Sequence, residues 1–182
     1  MRLWVVRHAR PVVDEGMCYG ALDVPAHEAE TRAAARALAT VLPAALDVVC
    51  SPLRRCRQLA DELAVLRPDL TFTCDPRLAE MNFGHWEGRL WADIDRAELD
   101  AWARDFAGYR AGGNGESVAA FMSRVGQRLD ESRSTAREQA WITHGGAFKS
   151  LLLLQSGQKL PSASGWPVHT LAWGEWQLIE SL

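Results

Sequence analysis

The sequence predicts an α/β fold: a three-layer α/β/α sandwich with a mostly parallel central sheet, one antiparallel edge strand and a small helical cap. Three observations predict it. Short apolar, β-branched runs alternate with segments of helical period along the chain. Several of those runs end in polar clusters of similar chemistry. No repeat, low-complexity tract or linker interrupts the alternation, so one domain spanning 1–182 is expected, with a cap elaboration at about 84–115.

Leu3–Val6 reads as the first strand and Asp47–Cys50 as the second, each closed by polar residues. Between them His27–Leu42 is Ala-rich, with Ala34, Leu38, Val41 and Leu42 at helical spacing, and Pro43 closes it. Ser51-Pro52 reads as a helix start, a Ser cap followed by Pro at the first helical position, and the helix runs to about Leu66. Leu70–Cys74 is a third strand. The segment from Asp75 to about Gly115 is rich in Trp, Gly and charge, with one helix near Ile94–Phe106. After the break at Gly112–Gly115, Glu116–Ala136 reads as a long amphipathic helix, Ala140–Thr143 as a strand and Gly146–Gln155 as a helix. Val168–Trp173 and Glu175–Ile179, joined at Gly174, read as a hairpin at a sheet edge.

A chain of 182 residues, 48% hydrophobic and 24% charged, has the composition of an ordinary globular protein. Its length suffices to bury roughly two-thirds of the unfolded surface without metals or disulfides. The net charge of -3 gives no footprint for nucleic acid. No apolar run reaches the roughly 18–20 residues of a membrane span, and no signal peptide is read at the start. Cys18, Cys50, Cys56 and Cys74 lack C-x-x-C spacing, so free thiols and a cytoplasmic location are expected.

In a mostly parallel sheet, ligands bind beyond the carboxyl ends of the strands. Arg7-His8 follows the first strand, Ser51–Arg54 the second, and His144-Gly145-Gly146 the strand Ala140–Thr143, so all three clusters fall on one edge. The pocket they imply holds His8, His144, Arg7 and Arg54, with Arg10 and Arg55 as further candidates; Arg55 and Arg57 are read onto the solvated side of their helix. Guanidinium forks match phosphate oxygens, and glycines ahead of a helix expose N–H donors, so a phosphoryl group is the expected occupant. A histidine facing it can attack, the arginines spread the charge, and a carboxylic acid must protonate the leaving oxygen. Glu80, Glu87 and Asp75 are the local candidates for that acid. No metal or other cofactor is required.

Arg7-His8-Ala9, Ser51-Pro52-Leu53-Arg54, LAEMNFGHWEG (Leu78–Gly88) and Thr143-His144-Gly145-Gly146 resemble, in order and spacing, the histidine phosphatase (phosphoglycerate-mutase-like) superfamily. The resemblance covers almost the whole chain. It implies His8 as nucleophile, Arg7, Arg54 and His144 as phosphoryl ligands with the Gly145 N–H, and Glu80 as proton donor. It also implies a metal-independent phosphomonoesterase acting through a phosphohistidine on a small-molecule phosphate ester, with the Trp-rich segment as a cap. Three further stretches, CYGALDVP (Cys18–Pro25), Ala101-Trp102 with Asp105-Phe106, and GGNGES (Gly112–Ser117), resemble alpha-ribazole phosphatases of the late cobalamin pathway. The chain departs from the family at Ala9, Arg10 and Pro11, where Gly, Glu or Gln, and Thr or Ser are usual. It departs again at Asp14, which is expected to point away from the phosphate.

Three rival readings remain at this level: a mutase sharing every catalytic residue, metal-assisted hydrolysis with His8, His144 and Glu80 as ligands, and a non-catalytic phosphate-binding module. Trp86, Trp91 and Trp102 are read as packing residues, and His85, His27 and His169 as bystanders. Monomer and homodimer are equally compatible with the sequence.

Overall fold

The computed structural model describes residues 1–158 and 160–180. Five strands, β1 (Leu3–Arg7), β2 (Asp47–Cys50), β3 (Thr71–Cys74), β4 (Gln139–Thr143) and β5 (Trp176–Ile179), form one sheet in the order β3-β2-β4-β1-β5. β1 pairs parallel with β4, β4 with β2 and β2 with β3, whereas β5 runs antiparallel to β1 at the edge. The expected mostly parallel sheet with one antiparallel edge strand is therefore present.

Alternation along the strands creates two cores. Leu3, Val5, Val49 and Trp141 point to one face, where they meet Phe121, Met122 and Val125 of α4 (Val118–Thr135) and Phe148 and Leu151 of α5 (Gly145–Gln155). Val6, Val48, Ala140 and Ile142 point to the other. There they meet Ala35 and Leu38 of α1 (Glu28–Val41) and Leu59 and Leu63 of α2 (Arg54–Leu66). A fifth helix, α3 (Arg96–Arg104), belongs to the Trp-rich segment.

The strand ends are held level by bonds that continue the ladder. His8 N–H donates to Thr143 O at 3.2 Å, Ser51 N–H to Ile142 O at 2.9 Å and Asp75 N–H to Cys50 O at 2.9 Å. The residues after β1, β2 and β4 thus emerge side by side. At the opposite end of the helical layer, Arg67, just past α2, donates to Ala39 O, Leu42 O and Pro43 O. One guanidinium thereby satisfies carbonyls at and beyond the end of α1, which has no basic residue in its last turn.

Two local expectations are corrected. Ser51 is not the N-cap of α2; the helix begins at Arg54, whose N–H is taken by the Asp23 carboxylate, and Ser51 Oγ accepts the Leu53 N–H and bonds to His144. Val168–Trp173 is not a strand. Its β-branched and aromatic content suggests one, but Leu171 O accepts from the Arg7 guanidinium, so the segment crosses the strand ends rather than pairing along them. Among the described residues no helix is long and apolar enough to cross a membrane.

Replacing Arg67 with Ala removes all three carbonyl bonds and the pair with Asp69, and is expected to cost about 1–2 kcal/mol in urea unfolding, with no change in the m-value.

Candidate active site

His8 sits one residue past β1 and is 2% exposed. Its Nδ1 lies 2.7 Å from Ala9 O, and its Nε2 lies 3.2 Å from Arg55 Nε. Arginine can only donate, so Nε2 is the acceptor; Nδ1 then carries the proton and donates to Ala9 O. The ring is fixed in the tautomer whose Nε2 lone pair accepts the Arg55 Nε–H. Burial, helped by the Arg55 and Arg7 charges, pushes the His8 pKa down to about 3.

The arginine beside the nucleophilic position is Arg55, not Arg54. Arg54 is exposed at the first position of α2, whereas Arg55 is fully buried. The Arg55 guanidinium also donates to Gly20 O at 2.7 Å and Leu22 O at 2.9 Å. The assignment of Arg54 to the pocket is thus corrected, and so is the reading of Arg55 as solvated; Arg57 is exposed as expected. The burial pattern holds the signal for this: Arg55 stands four residues before Leu59 and eight before Leu63 on the buried face of α2.

Arg7, the last residue of β1, donates to Leu171 O at 2.6 Å and stacks over the Trp173 ring at 5.3 Å. Its Nε is buried with no hydrogen-bond partner, and burial lowers its pKa. Tyr19, which the motifs did not single out, lies under Arg55 with its ring centroid 5.5 Å from the guanidinium carbon.

His144 stands at the N-cap of α5, and its ring centroid is 5.0 Å from that of His8, edge to face. Ser51 Oγ is 2.7 Å from its Nε2, and Cys56 Sγ is 3.4 Å from the same atom. Burial, with Arg55 and His8 acting in the same direction, pushes its pKa well below the usual value. His144 backs His8 and is not among the residues lining the cavity described below.

Glu80 reaches the same region from the loop before the Trp-rich segment. One carboxylate oxygen accepts the Gly146 N–H at 2.9 Å and the other its neighbour Met81 N–H at 3.0 Å. A Cβ on Gly146 would collide with that carboxylate, which explains glycine there. At Gly145 a Cβ would lie 3.4 Å from the Arg7 guanidinium carbon and 3.1 Å from Thr170 Oγ1. Arg124 of α4 clamps the approach to Glu80 through Arg77 O, Ala79 O and Glu80 O, a support that sequence reasoning missed.

The other acidic candidates are committed elsewhere. Glu87 accepts the backbone N–H groups of Gly20, Ala21, Leu22 and Phe83. Asp75 is paired with Arg77 and Arg128.

Arg7, His8, Arg55, Glu80, Gly145 and Gly146 line one cavity of about 270 Å³. Phe83, Trp102, Phe106, Phe121 and Trp166 supply aromatic walls, and Lys149 adds a cation. Trp102 and Phe106 come from the segment 84–115. There Trp91 stacks on Trp102 at 6.2 Å, and Trp86 is buried with its indole N–H on Glu98. Trp86 and Trp91 are packing residues; Trp102 both packs and faces the cavity. His85 is exposed and outside the site, as expected.

Cations around a neutral imidazole whose Nε2 lone pair accepts the Arg55 Nε–H form an anion site suited to phosphoryl chemistry. Residues 3–179 match the family model of the histidine phosphatase superfamily (branch 1), and the chain belongs to that superfamily. It is 32% identical to the adenosylcobalamin/alpha-ribazole phosphatase of Salmonella typhimurium over 99% of this chain and 90% of the relative. Among solved structures, a phosphoglycerate mutase from Thermus thermophilus matches at 30% identity and TM-score 0.74, over 99% of this chain and 93% of that one. A mycobacterial glucosyl-3-phosphoglycerate phosphatase matches at 27% and TM-score 0.79, over 97% and 88%. By family, the chain is an enzyme of the phosphatase and phosphotransfer class.

The two buried histidines set a pH dependence of stability. Each is neutral when folded but binds a proton below about pH 6.5 when unfolded, so the unfolded state takes up more protons and stability falls as the pH falls. The limiting slope is about 1.4 kcal/mol per pH unit for each histidine. Urea unfolding between about pH 6.5 and 4.5 is expected to show it, with His8→Gln removing about half; an unchanged slope in that variant would contradict the neutral buried state.

Proposed function

We propose that the protein is a metal-independent phosphomonoesterase that hydrolyses small-molecule phosphate esters through a phosphohistidine. The observation that carries this reading is the tautomer of His8: Nδ1 donates to Ala9 O, and Nε2 presents its lone pair beside the Arg55 guanidinium.

A phosphoryl group entering the cavity meets Arg7 and Arg55, whose two charges match a dianion. The Arg55 Nε–H passes from His8 Nε2 to a phosphoryl oxygen, and the freed Nε2 lone pair forms a bond to phosphorus as the bond from phosphorus to the ester oxygen breaks. Glu80, in its acid form, gives its proton to the departing oxygen. Charge on the phosphoryl oxygens is spread onto Arg7 and Arg55, and the Gly145 N–H at the start of α5 is a further donor. The ring becomes positive on phosphorylation, and the Nδ1–H bond to Ala9 O grows stronger. Water then attacks phosphorus, Glu80 recovers a proton from it, and phosphate leaves with His8 neutral again. His144, packed edge-on against His8 and held by Ser51, backs the phosphoryl site. The segment 84–115 covers the leaving group with Trp102 and Phe106.

For the substrate we propose alpha-ribazole 5′-phosphate, whose planar base suits the aromatic walls. The name carried by the Salmonella relative supports the same choice. A mutase reading draws on the Thermus phosphoglycerate mutase and is separated by product analysis: free phosphate from alpha-ribazole 5′-phosphate, with no isomerised phosphoglycerate, supports the phosphatase.

His8→Ala is expected to lower kcat by about 10³-fold or more and to abolish the acid-quenched phosphoenzyme, while excess EDTA leaves turnover intact. Glu80→Gln is expected to lose about 10²–10⁴-fold, most for substrates with poor leaving groups. The corrected arginine supplies the sharpest comparison: Arg55→Ala should lose about 10²-fold or more, and Arg54→Ala less than about threefold. Equal losses in the two arginine variants would overturn the assignment.

A further inference from the structure

Lys149 is the cavity cation that the chemistry above does not use. It lies on α5 three residues after Gly146 and four after Gly145, so it shares the helix face those glycines present to the site. That places it about one turn, 5.4 Å of rise, further along the helix from the phosphoryl cradle. Among the described residues its ammonium makes no hydrogen bond and no ion pair. Burial and the Arg7 charge lower its pKa, with Glu80 acting in the opposite sense.

The Lys149 side chain is half-buried and its ammonium is free to pair, and beside it in the cavity is the space for the ester's leaving group. The charges point the same way. Arg7 and Arg55 balance a phosphoryl dianion, and Lys149 is a further cation beside them in the cavity. The walls around it are aromatic, from Trp102, Phe106 and Trp166. Two further polar atoms on the same walls, Trp102 Nε1 and Thr170 Oγ1, have no partner among the described residues.

We infer that Lys149 is a specificity-determining residue: its ammonium donates to an electron-rich acceptor on an aromatic leaving group, away from the phosphoryl centre. The acceptor is a carboxylate or the lone pair of a ring nitrogen. This rests on the phosphomonoesterase reading and is independent of which natural ester is the substrate.

The test compares phenyl phosphate, 3- and 4-carboxyphenyl phosphate and pyridin-3-yl phosphate in the wild type, Lys149→Met and Lys149→Arg. Lys149→Met keeps the length of the stem and drops the charge. It is expected to lower kcat/KM for an acceptor-bearing ester at least about tenfold more than for phenyl phosphate, with most of the difference restored in Lys149→Arg. A differential confined to the carboxylates identifies an anionic acceptor, and one shared with the pyridyl ester identifies a lone pair. Losses equal across all four esters would mean that Lys149 serves the phosphoryl group or Glu80, and would overturn the inference; so would no loss at all. Should the wild type turn over none of them, the same comparison made as binding constants by calorimetry decides the role of Lys149, while the phosphatase reading stands or falls on release of phosphate from alpha-ribazole 5′-phosphate.

Discussion

The buried guanidinium of Arg55 is the constraint around which the site is arranged. A charge held out of water is tolerated only when its donors are satisfied, and Arg55 directs them to Gly20 O, Leu22 O and His8 Nε2. The loop supplying two of those carbonyls is held from its other side, because Glu87 takes the N–H groups of Gly20, Ala21 and Leu22. One residue further on, Asp23 accepts the first N–H of α2, fixing the start of the helix that carries Arg55. Glycine at position 20 is required because any Cβ there would run into Met81 O and the Phe83 ring. A carboxylate far along the chain therefore sets the position of the arginine beside His8, through one loop read on both its edges.

That contact also decides the chemical state of His8. A donor at Nε2 excludes a proton there, and the same positive charge disfavours imidazolium. The ring is thus held neutral, with its Nε2 lone pair taken by the Arg55 Nε–H. His144 is kept neutral by burial in the same positive field, so the charge available to an anion comes from the arginines. Both histidines are thus neutral, and the arginines supply the positive field around them.

The sheet, its parallel order and the convergence of the strand ends were legible in the sequence because they rest on period. Alternating Val6 and Val5, or Ala140 and Trp141, face opposite cores, and such patterns survive without knowledge of partners. His8, Arg7 and Glu80 were legible through their motifs. Arg54 was misread because one residue is 100° of helix, so a helix start placed two residues early, with Ser51 as the cap, blurs which of two adjacent arginines faces inward. Ser51 could not be read as a partner of His144, and Glu87 could not be read as a loop anchor, since both interactions join positions far apart in the chain. The strand expected at Val168–Trp173 failed for a similar reason: Arg7 takes a carbonyl that a strand would need.

The departures from the family pattern after His8 gain a physical explanation from the same geometry. Ala9 is 1% exposed and is not among the non-glycine residues with positive φ, so a methyl group there costs nothing. Arg10 is exposed and paired with Glu30, and Pro11 forms an isolated bridge with Ala26 beside the bond from Val12 N–H to Pro25 O. Asp14 is exposed, and neither it, Arg10 nor Pro11 lines the cavity. The turn after His8 is thus tied back to the entry of α1 and away from the cavity, and a proline that offers no donor is harmless in that position.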